Sequence, residues 1–193
     1  MILGITGGTG CGKTTLLNVL AERGALVLDC DGIYHELLKT SPALLAAIEA
    51  RFPGTVENGE LQRKKLGALV FSDENALLDL NRITHAAVKA EVLRRLEAKP
   101  DLAAIDAIAL FEGGLAQLCD MTIAVTAPAG DRVRRLMLRD GISGDYARSR
   151  IAAQHSEDWF REQCDFVLEN NGSGKQFREK CLAFLRRQGI MEE

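Results

Sequence analysis

Five short β-rich or apolar runs read as strands: Met1 to Thr6, Ala25 to Leu28, Ala103 to Ala107, Met121 to Thr126 and Asp165 to Leu168. Between the first two, Leu16, Leu17, Val19 and Leu20 recur at helical spacing, and Gly24 stands where a left-handed residue closes a helix. Strand, helix and strand within about thirty residues make a βαβ unit, and hence a parallel sheet of five strands with ligands at its carboxyl edge. Asp29 and Asp31 fall at that edge.

The middle of the chain changes character. Ser41-Pro42 opens a helix, Phe52-Pro53-Gly54 breaks it, and Leu61 to Phe71 and Asn75 to Leu96 predict two more, with no strand among them. A block of about sixty residues is too long for an ordinary strand connection, so it predicts a helical insertion that closes over a substrate. The expected division is a nucleotide-binding core at 1–34 and 101–193 and an insertion at 35–100. Within the core, Arg132 to Gln163 is rich in arginine, is divided at Asp140-Gly141, and offers Ser143 as the cap of a second helix; this predicts a mobile helical lid at about 139–160. The last helix is announced by a Ser173/Gln176 capping box, with Phe177, Cys181, Phe184 and Leu185 on one face and Gly189 after it.

Composition narrows the function. The net charge of -3 and pI of about 5.7 do not fit a nucleic-acid footprint or a polybasic membrane anchor, so small substrates are expected. No apolar stretch reaches the ~18 residues of a membrane span, and the first strand starts at Ile2 with no charged leader, so a cytoplasmic location is expected. The five cysteines, at 11, 30, 119, 164 and 181, lack metal or disulfide spacing and read as reduced packing residues. Cys11 is the exception, because a helix N-terminus lowers a thiol pKa; it is expected to be sensitive to oxidation.

The chemistry is concentrated at Gly7-Gly8-Thr9-Gly10-Cys11-Gly12-Lys13-Thr14, a complete G-x-x-x-x-G-K-[ST] loop between a strand and a helix. Its glycines allow a backbone that wraps a polyphosphate, and the following helix aims its free N–H groups at the anion. Lys13 is expected to bridge the β- and γ-phosphates, Thr14 to ligate Mg2+ and Thr15 to bond the α-phosphate. Phosphoryl transfer also needs a carboxylate beside the attacking hydroxyl and mobile cations on the transferring group. Asp31 is the candidate for the first, with helix capping as its alternative role; Asp29, or less strongly Asp106 or Glu112, is the candidate for the metal's water shell. Arg139 and Arg150 are candidates for the cations, with a solvated helix face as the alternative, which is also the expected role of Arg132, Arg134 and Arg148. His35, His85 and His155 are scattered and read as structural.

With these residues assembled, the chain resembles the dephospho-coenzyme A kinase family nearly end to end. The resemblance runs from Gly4 through Thr15 and Asp29-Cys30-Asp31, through Gly59, Arg63, Leu66 to Phe71 and Leu80 to His85. It continues in Leu110-Phe111-Glu112, Arg135 to Asp140, Arg150 to Gln154 and Asp165 to Gly172. It implies a P-loop NTPase fold, a three-layer α/β/α core with a five-stranded parallel sheet, a helical substrate-binding insertion and a helical lid. The implied reaction is ATP-dependent phosphorylation of the ribose 3'-hydroxyl of dephospho-CoA, with magnesium. Asp31 falls on the family's catalytic acid, Arg139 and Arg150 on lid residues that reach the phosphates, Asn170, Asn171 and Gly172 near the adenine, and Arg63 and His85 in the substrate-binding block. Ala86, Ile108 and Cys164 depart from the family's usual Pro, Pro and Ala; the lost prolines predict altered loop shapes around the substrate pocket. Two rivals remain at this stage: a kinase for another small alcohol or nucleotide, and a nucleotide switch suggested by the D-x-x-G spacing of Asp29 to Gly32, although no N-K-x-D follows.

Overall fold

The computed structural model describes residues 1–191; positions 192 and 193, the end of the span predicted for the core, lie outside the described residues. In chain order the first half contains β1 (Ile2–Thr6), α1 (Lys13–Ala21), β2 (Leu26–Asp29), α2 (Cys30–Thr40), α3 (Pro42–Arg51), β3 (Val56–Glu57), β4 (Glu60–Leu61), α4 (Arg63–Val70) and α5 (Glu74–Leu96). The second half contains β5 (Ala103–Asp106), a 3-10 turn at Ala116–Leu118, β6 (Met121–Thr126), α6 (Ala129–Asp140), α7 (Gly144–Ala152), α8 (Glu157–Gln163), β7 (Phe166–Glu169) and α9 (Gly174–Arg187). Two compact units result, one from Met1–Val27, Pro100–Leu110 and Leu118 onward, the other from Leu28–Lys99 and Phe111–Gln117.

The first unit is built on the expected five-stranded sheet, in the order β2-β5-β1-β6-β7. Strand β1 runs parallel to both β5 and β6, and β6 runs parallel to β7. The register pairs Ile5 with Asp106, Thr6 with Ala124, and Thr126 with Glu169, so the carboxyl ends of these strands lie along one edge, where the Gly7–Gly12 loop leaves β1. The stripe predicted for α1 is buried, and it packs with Phe177, Cys181, Phe184 and Leu185 of α9 against Leu3, Ile5, Ile123, Val125 and Leu168. Each such buried side chain contributes roughly 1.5–3 kcal/mol of transfer free energy, which fixes α1 and therefore the loop in front of it.

Local signals set the ends of these elements. Gly24, at φ +81°, reverses the chain after α1, and the Ala25 N–H returns to the Leu20 carbonyl at 3.1 Å. Gly141, at φ +66°, ends α6, and the Ser143 hydroxyl accepts from the Tyr146 N–H at the start of α7. The Ser173/Gln176 capping box forms as predicted.

The second unit has its own core of Leu38, Leu44, Leu45, Ile48, Phe52, Leu66, Val70 and Ala76. Its helices follow the predicted breaks, with Ser41 capping α3 and Asp73 capping α5. The expectation that it holds no strand is corrected. Val56 pairs with Leu61 and Glu57 with Glu60 in a short antiparallel hairpin. The turn is Asn58-Gly59, with φ of 51° and 79°, the conformation that Asn-Gly favours between paired strands. Ala86 lies inside the continuous helix α5, so that missing proline alters a helical segment and not a loop. Among the described residues, no helix is long and apolar enough to cross a membrane.

Candidate nucleotide-binding site

The loop after β1 is held by its carbonyl oxygens. Arg132 Nε donates to Thr9 O at 2.9 Å, Arg135 Nη1 to Gly10 O at 3.1 Å and Cys11 O at 3.2 Å, and Asn170 Nδ2 to Cys11 O at 2.9 Å. Lys13 Nζ donates to Gly7 O at 3.1 Å. In a trans peptide the N–H points opposite the C=O, so holding Thr9 O and Cys11 O turns the N–H groups of Gly10 and Gly12 the other way. They join the N–H groups of Lys13 and Thr14 at the start of α1, and the result is an anion-binding nest at the positive end of a helix. Glycine is required where the walls are closest. A Cβ on Gly7 would lie 2.1 Å from the Val125 carbonyl oxygen, and one on Gly12, at φ +98°, 2.3 Å from Asn170 Nδ2.

Lys13 enters the same space, with its ammonium 3.9 Å from Asp106 Oδ1 at the end of β5 and both side chains largely covered. Asp106 is therefore the predicted acid found beside the loop within this unit. Thr14 is exposed and Thr15 half-buried, its N–H bonded to Gly12 O at 3.0 Å. Cys11 departs from expectation: the thiol is 1% exposed and burial raises its pKa, outweighing the lowering effect of Lys13, so it is a core group and not an accessible thiolate. Burial likewise pushes the thiols of Cys164 and Cys181 to about 11 and that of Cys119 to about 12.

The arginine-rich segment divides into three behaviours. Arg134 and Arg148 form surface pairs with Asp131 and Asp145, as expected for a solvated face. Arg132 does not: it is 7% exposed and spends its guanidinium on Thr9 and Gln154. Arg139 and Arg150 share one partner, Asp140, through contacts of 2.6, 3.0 and 2.9 Å. Hydrogen bonds from Arg139 chiefly, and from Arg150 against a push upward from burial, hold the Asp140 carboxyl at about 2. At the end of β7, Asn170 is buried with its Oδ1 lacking a hydrogen-bond partner. Asn171 and Gly172 are exposed and, with Glu169, Gln176, Phe177 and Lys180, line a groove of about 370 Å³.

In the second unit, Asp29 turns out to be the helix cap. Its Oδ1 accepts the Asp31 N–H at 3.0 Å, which leaves the exposed Asp31 carboxylate in the first turn of α2 free of that duty. His35 Nδ1 donates to the Asp31 carbonyl at 2.7 Å. Arg63 begins α4 and lowers the pKa of the Tyr34 hydroxyl against the larger upward effect of burial. His85 is half-buried on α5, and Glu112 is exposed on the Phe111–Gln117 segment. In the first unit, His155 stacks on Trp159 at 3.7 Å.

Sequence reasoning missed Arg132, Arg135 and Gln154 as loop-holding groups. The available signal was the Arg132/Arg135 spacing on a strongly amphipathic helix that follows a sheet strand and so passes the loop.

The family model for dephospho-CoA kinase matches residues 1–176. The chain belongs to the dephospho-CoA kinase family. A dephospho-CoA kinase of Syntrophotalea carbinolica is 37% identical over 97% of this chain and 92% of its own length. One of Anaeromyxobacter dehalogenans is 40% identical over 89% of this chain and 84% of its own. A crystal structure of a Thermus thermophilus protein superposes with a TM-score of 0.83 at 33% identity, covering 97% of both chains. Family membership accounts for the phosphate loop, and it removes the nucleotide-switch rival.

Proposed function

We infer that this protein transfers the γ-phosphoryl group of ATP to the ribose 3'-hydroxyl of dephospho-CoA, giving CoA and ADP, the last step of coenzyme A biosynthesis, in the cytoplasm. The observation that carries the reading is the loop whose carbonyls are occupied by Arg132, Arg135 and Asn170 while the amides of Gly10 and Gly12 are turned toward the space that Lys13 enters. Family membership supplies the acceptor.

In this reading the N–H groups of Gly10, Gly12, Lys13 and Thr14 cradle the phosphates, and Lys13 Nζ leaves the Gly7 carbonyl to bridge the β- and γ-oxygens. A magnesium ion, when bound with ATP, would supply positive charge to offset the negative charge on the transferring group. The donors fit it, because the exposed Thr14 hydroxyl is a hard oxygen ligand and the Asp106 carboxylate, beside Lys13, suits the water shell. Asp31, relieved of capping by Asp29, accepts the proton of the 3'-hydroxyl as it attacks. Arg139 and Arg150 exchange Asp140 for phosphate oxygens. Arg63 and His85 hold dephospho-CoA, and Asn170, Asn171 and Gly172 flank the adenine.

The test is a substrate panel of dephospho-CoA, AMP, adenosine, shikimate and gluconate with Mg-ATP. Preferential phosphorylation of dephospho-CoA at the 3' position, read by mass spectrometry and NMR, is expected; preference for any other acceptor overturns the reading.

A further inference from the structure

Gln154 lies just past the end of α7, in the same short segment as Arg150. Its side-chain oxygen Oε1 accepts two hydrogen bonds, from the Thr9 N–H at 2.8 Å and from Arg132 Nη2 at 2.9 Å. Arg132 Nε donates in turn to the Thr9 carbonyl at 2.9 Å. Residue Thr9 is thus gripped at its N–H and its C=O by two side chains that are bonded to each other, a closed ring in which Thr9 and Arg132 are 8% and 7% exposed. The ring leaves no space at its edge, since a Cβ on Gly8 would lie 2.1 Å from Arg132 Nη2.

Two consequences follow from this geometry. The Thr9 N–H already has an acceptor within the chain, so Thr9 serves a bound nucleotide through the direction of its carbonyl, which sets the opposite direction of the Gly10 N–H. And a single side-chain oxygen of this reach satisfies both donors at once, a role that depends on the acceptor and not on its charge.

We propose that Gln154 is a positioning residue for phosphoryl transfer: through Thr9 and Arg132 it holds the phosphate loop in its anion-binding shape and ties that shape to the segment that carries Arg150. The proposal rests on the reading of the loop as the ATP site. Losing Oε1 leaves a buried N–H and a buried guanidinium each short of a partner, and the loop relaxes toward other conformations before it meets ATP.

The experiment compares Gln154→Met, which keeps the length and removes the acceptor, with Gln154→Glu, which keeps the acceptor. Binding of a non-hydrolysable ATP analogue is followed by calorimetry, and KM for each substrate by a coupled assay. In Gln154→Met the analogue is expected to bind about tenfold more weakly, with a matching rise in KM for ATP and no change in KM for dephospho-CoA. Gln154→Glu should stay within about threefold of wild type, because a charged acceptor still satisfies both donors. Unchanged affinity in Gln154→Met overturns the proposal. So does an equal loss in both variants, or a parallel rise in both KM values with a lowered melting temperature, which marks a general structural role. Should Gln154→Met fail to fold, Arg132→Lys, which keeps the charge but cannot span both oxygens, replaces it: a tenfold loss supports the coupling and an unchanged affinity defeats it. A wild-type protein that fails to bind the analogue, or a Lys13→Ala variant that binds it normally, removes the ATP-site reading itself.

Discussion

Asn170 donates its side-chain amide to the carbonyl of Cys11 at 2.9 Å across 159 residues of sequence. The bond brings the end of β7 onto the phosphate loop, and the bare Gly12 beside it leaves room for the amide. Asn170→Ala removes the shorter of the two hydrogen bonds to the Cys11 carbonyl and leaves Arg135 as its donor, a loss of about 1–1.5 kcal/mol. ATP should bind about five- to tenfold more weakly by calorimetry; an unchanged dissociation constant would show that the loop keeps its shape without this tie.

Lys13→Ala should leave the fold intact, since the ammonium reaches one backbone carbonyl and a carboxylate 3.9 Å away. Turnover should fall by about a hundredfold or more, because the cation that follows charge onto the transferring group is gone. The checks are steady-state kinetics with a circular-dichroism melt of the free protein.

Asp31→Asn separates binding from chemistry. The cap on α2 belongs to Asp29, so the helix should persist, while turnover drops about a hundredfold or more for want of a proton acceptor. ATP affinity should be unaltered. A wild-type rate would remove Asp31 from the reaction.

The clamp of Asp140 on Arg139 and Arg150 should be insensitive to pH through the neutral range. Its carboxyl is lowered from 3.8 to about 2, so its contribution is full above about pH 4 and fades as pH falls through the folded value. A carbon-13 titration of the Asp140 carboxyl should show a midpoint near the lower figure; one near 4 would mean that Arg139 and Arg150 spend little time there. Asp140→Asn should release both arginines and raise their mobility in side-chain NMR relaxation.

Gly7→Ala and Gly130→Ala test the close approach of the loop. At Gly7, φ is +132° and a Cβ would sit 2.1 Å from Val125 O, whereas nothing lies within 4 Å at Gly130 in the first turn of α6. The first substitution should lower the melting temperature by several degrees and abolish ATP binding; the second should be neutral or add up to about 1 kcal/mol. Similar melting temperatures for the two would contradict the packing around the loop.

The sheet and its helices were legible because each rested on a local signal: apolar runs for the strands, Gly24 and Gly141 for helix ends, the Ser173/Gln176 box for α9. The β3–β4 hairpin was missed because two residues per strand are too few to show a period, although Asn58-Gly59 marked the turn. Arg132 was assigned to solvent by the rule that charge runs face water. That rule fails where the neighbouring surface is a row of backbone carbonyls, which a guanidinium satisfies as well as water does. For Cys11 the helix-terminus argument was sound in direction, but desolvation at 1% exposure outweighs it. The site residues from distant elements, Gln154 and Asn170, carry no local pattern that reports which backbone group they will meet.

The pairing of β1 with β5 and β6 joins Ile2 to Ala103 and Leu3 to Met121, while the Leu38 to Ala76 core is contained in one stretch of chain. As the polypeptide leaves the ribosome, the helical unit can therefore consolidate while β1 waits, exposed, for partners not yet made. The glycine loop is translated among the first residues and shaped among the last, once Arg132, Arg135 and Asn170 arrive. A nascent chain halted before residue 170 should retain no nucleotide, however complete its motif.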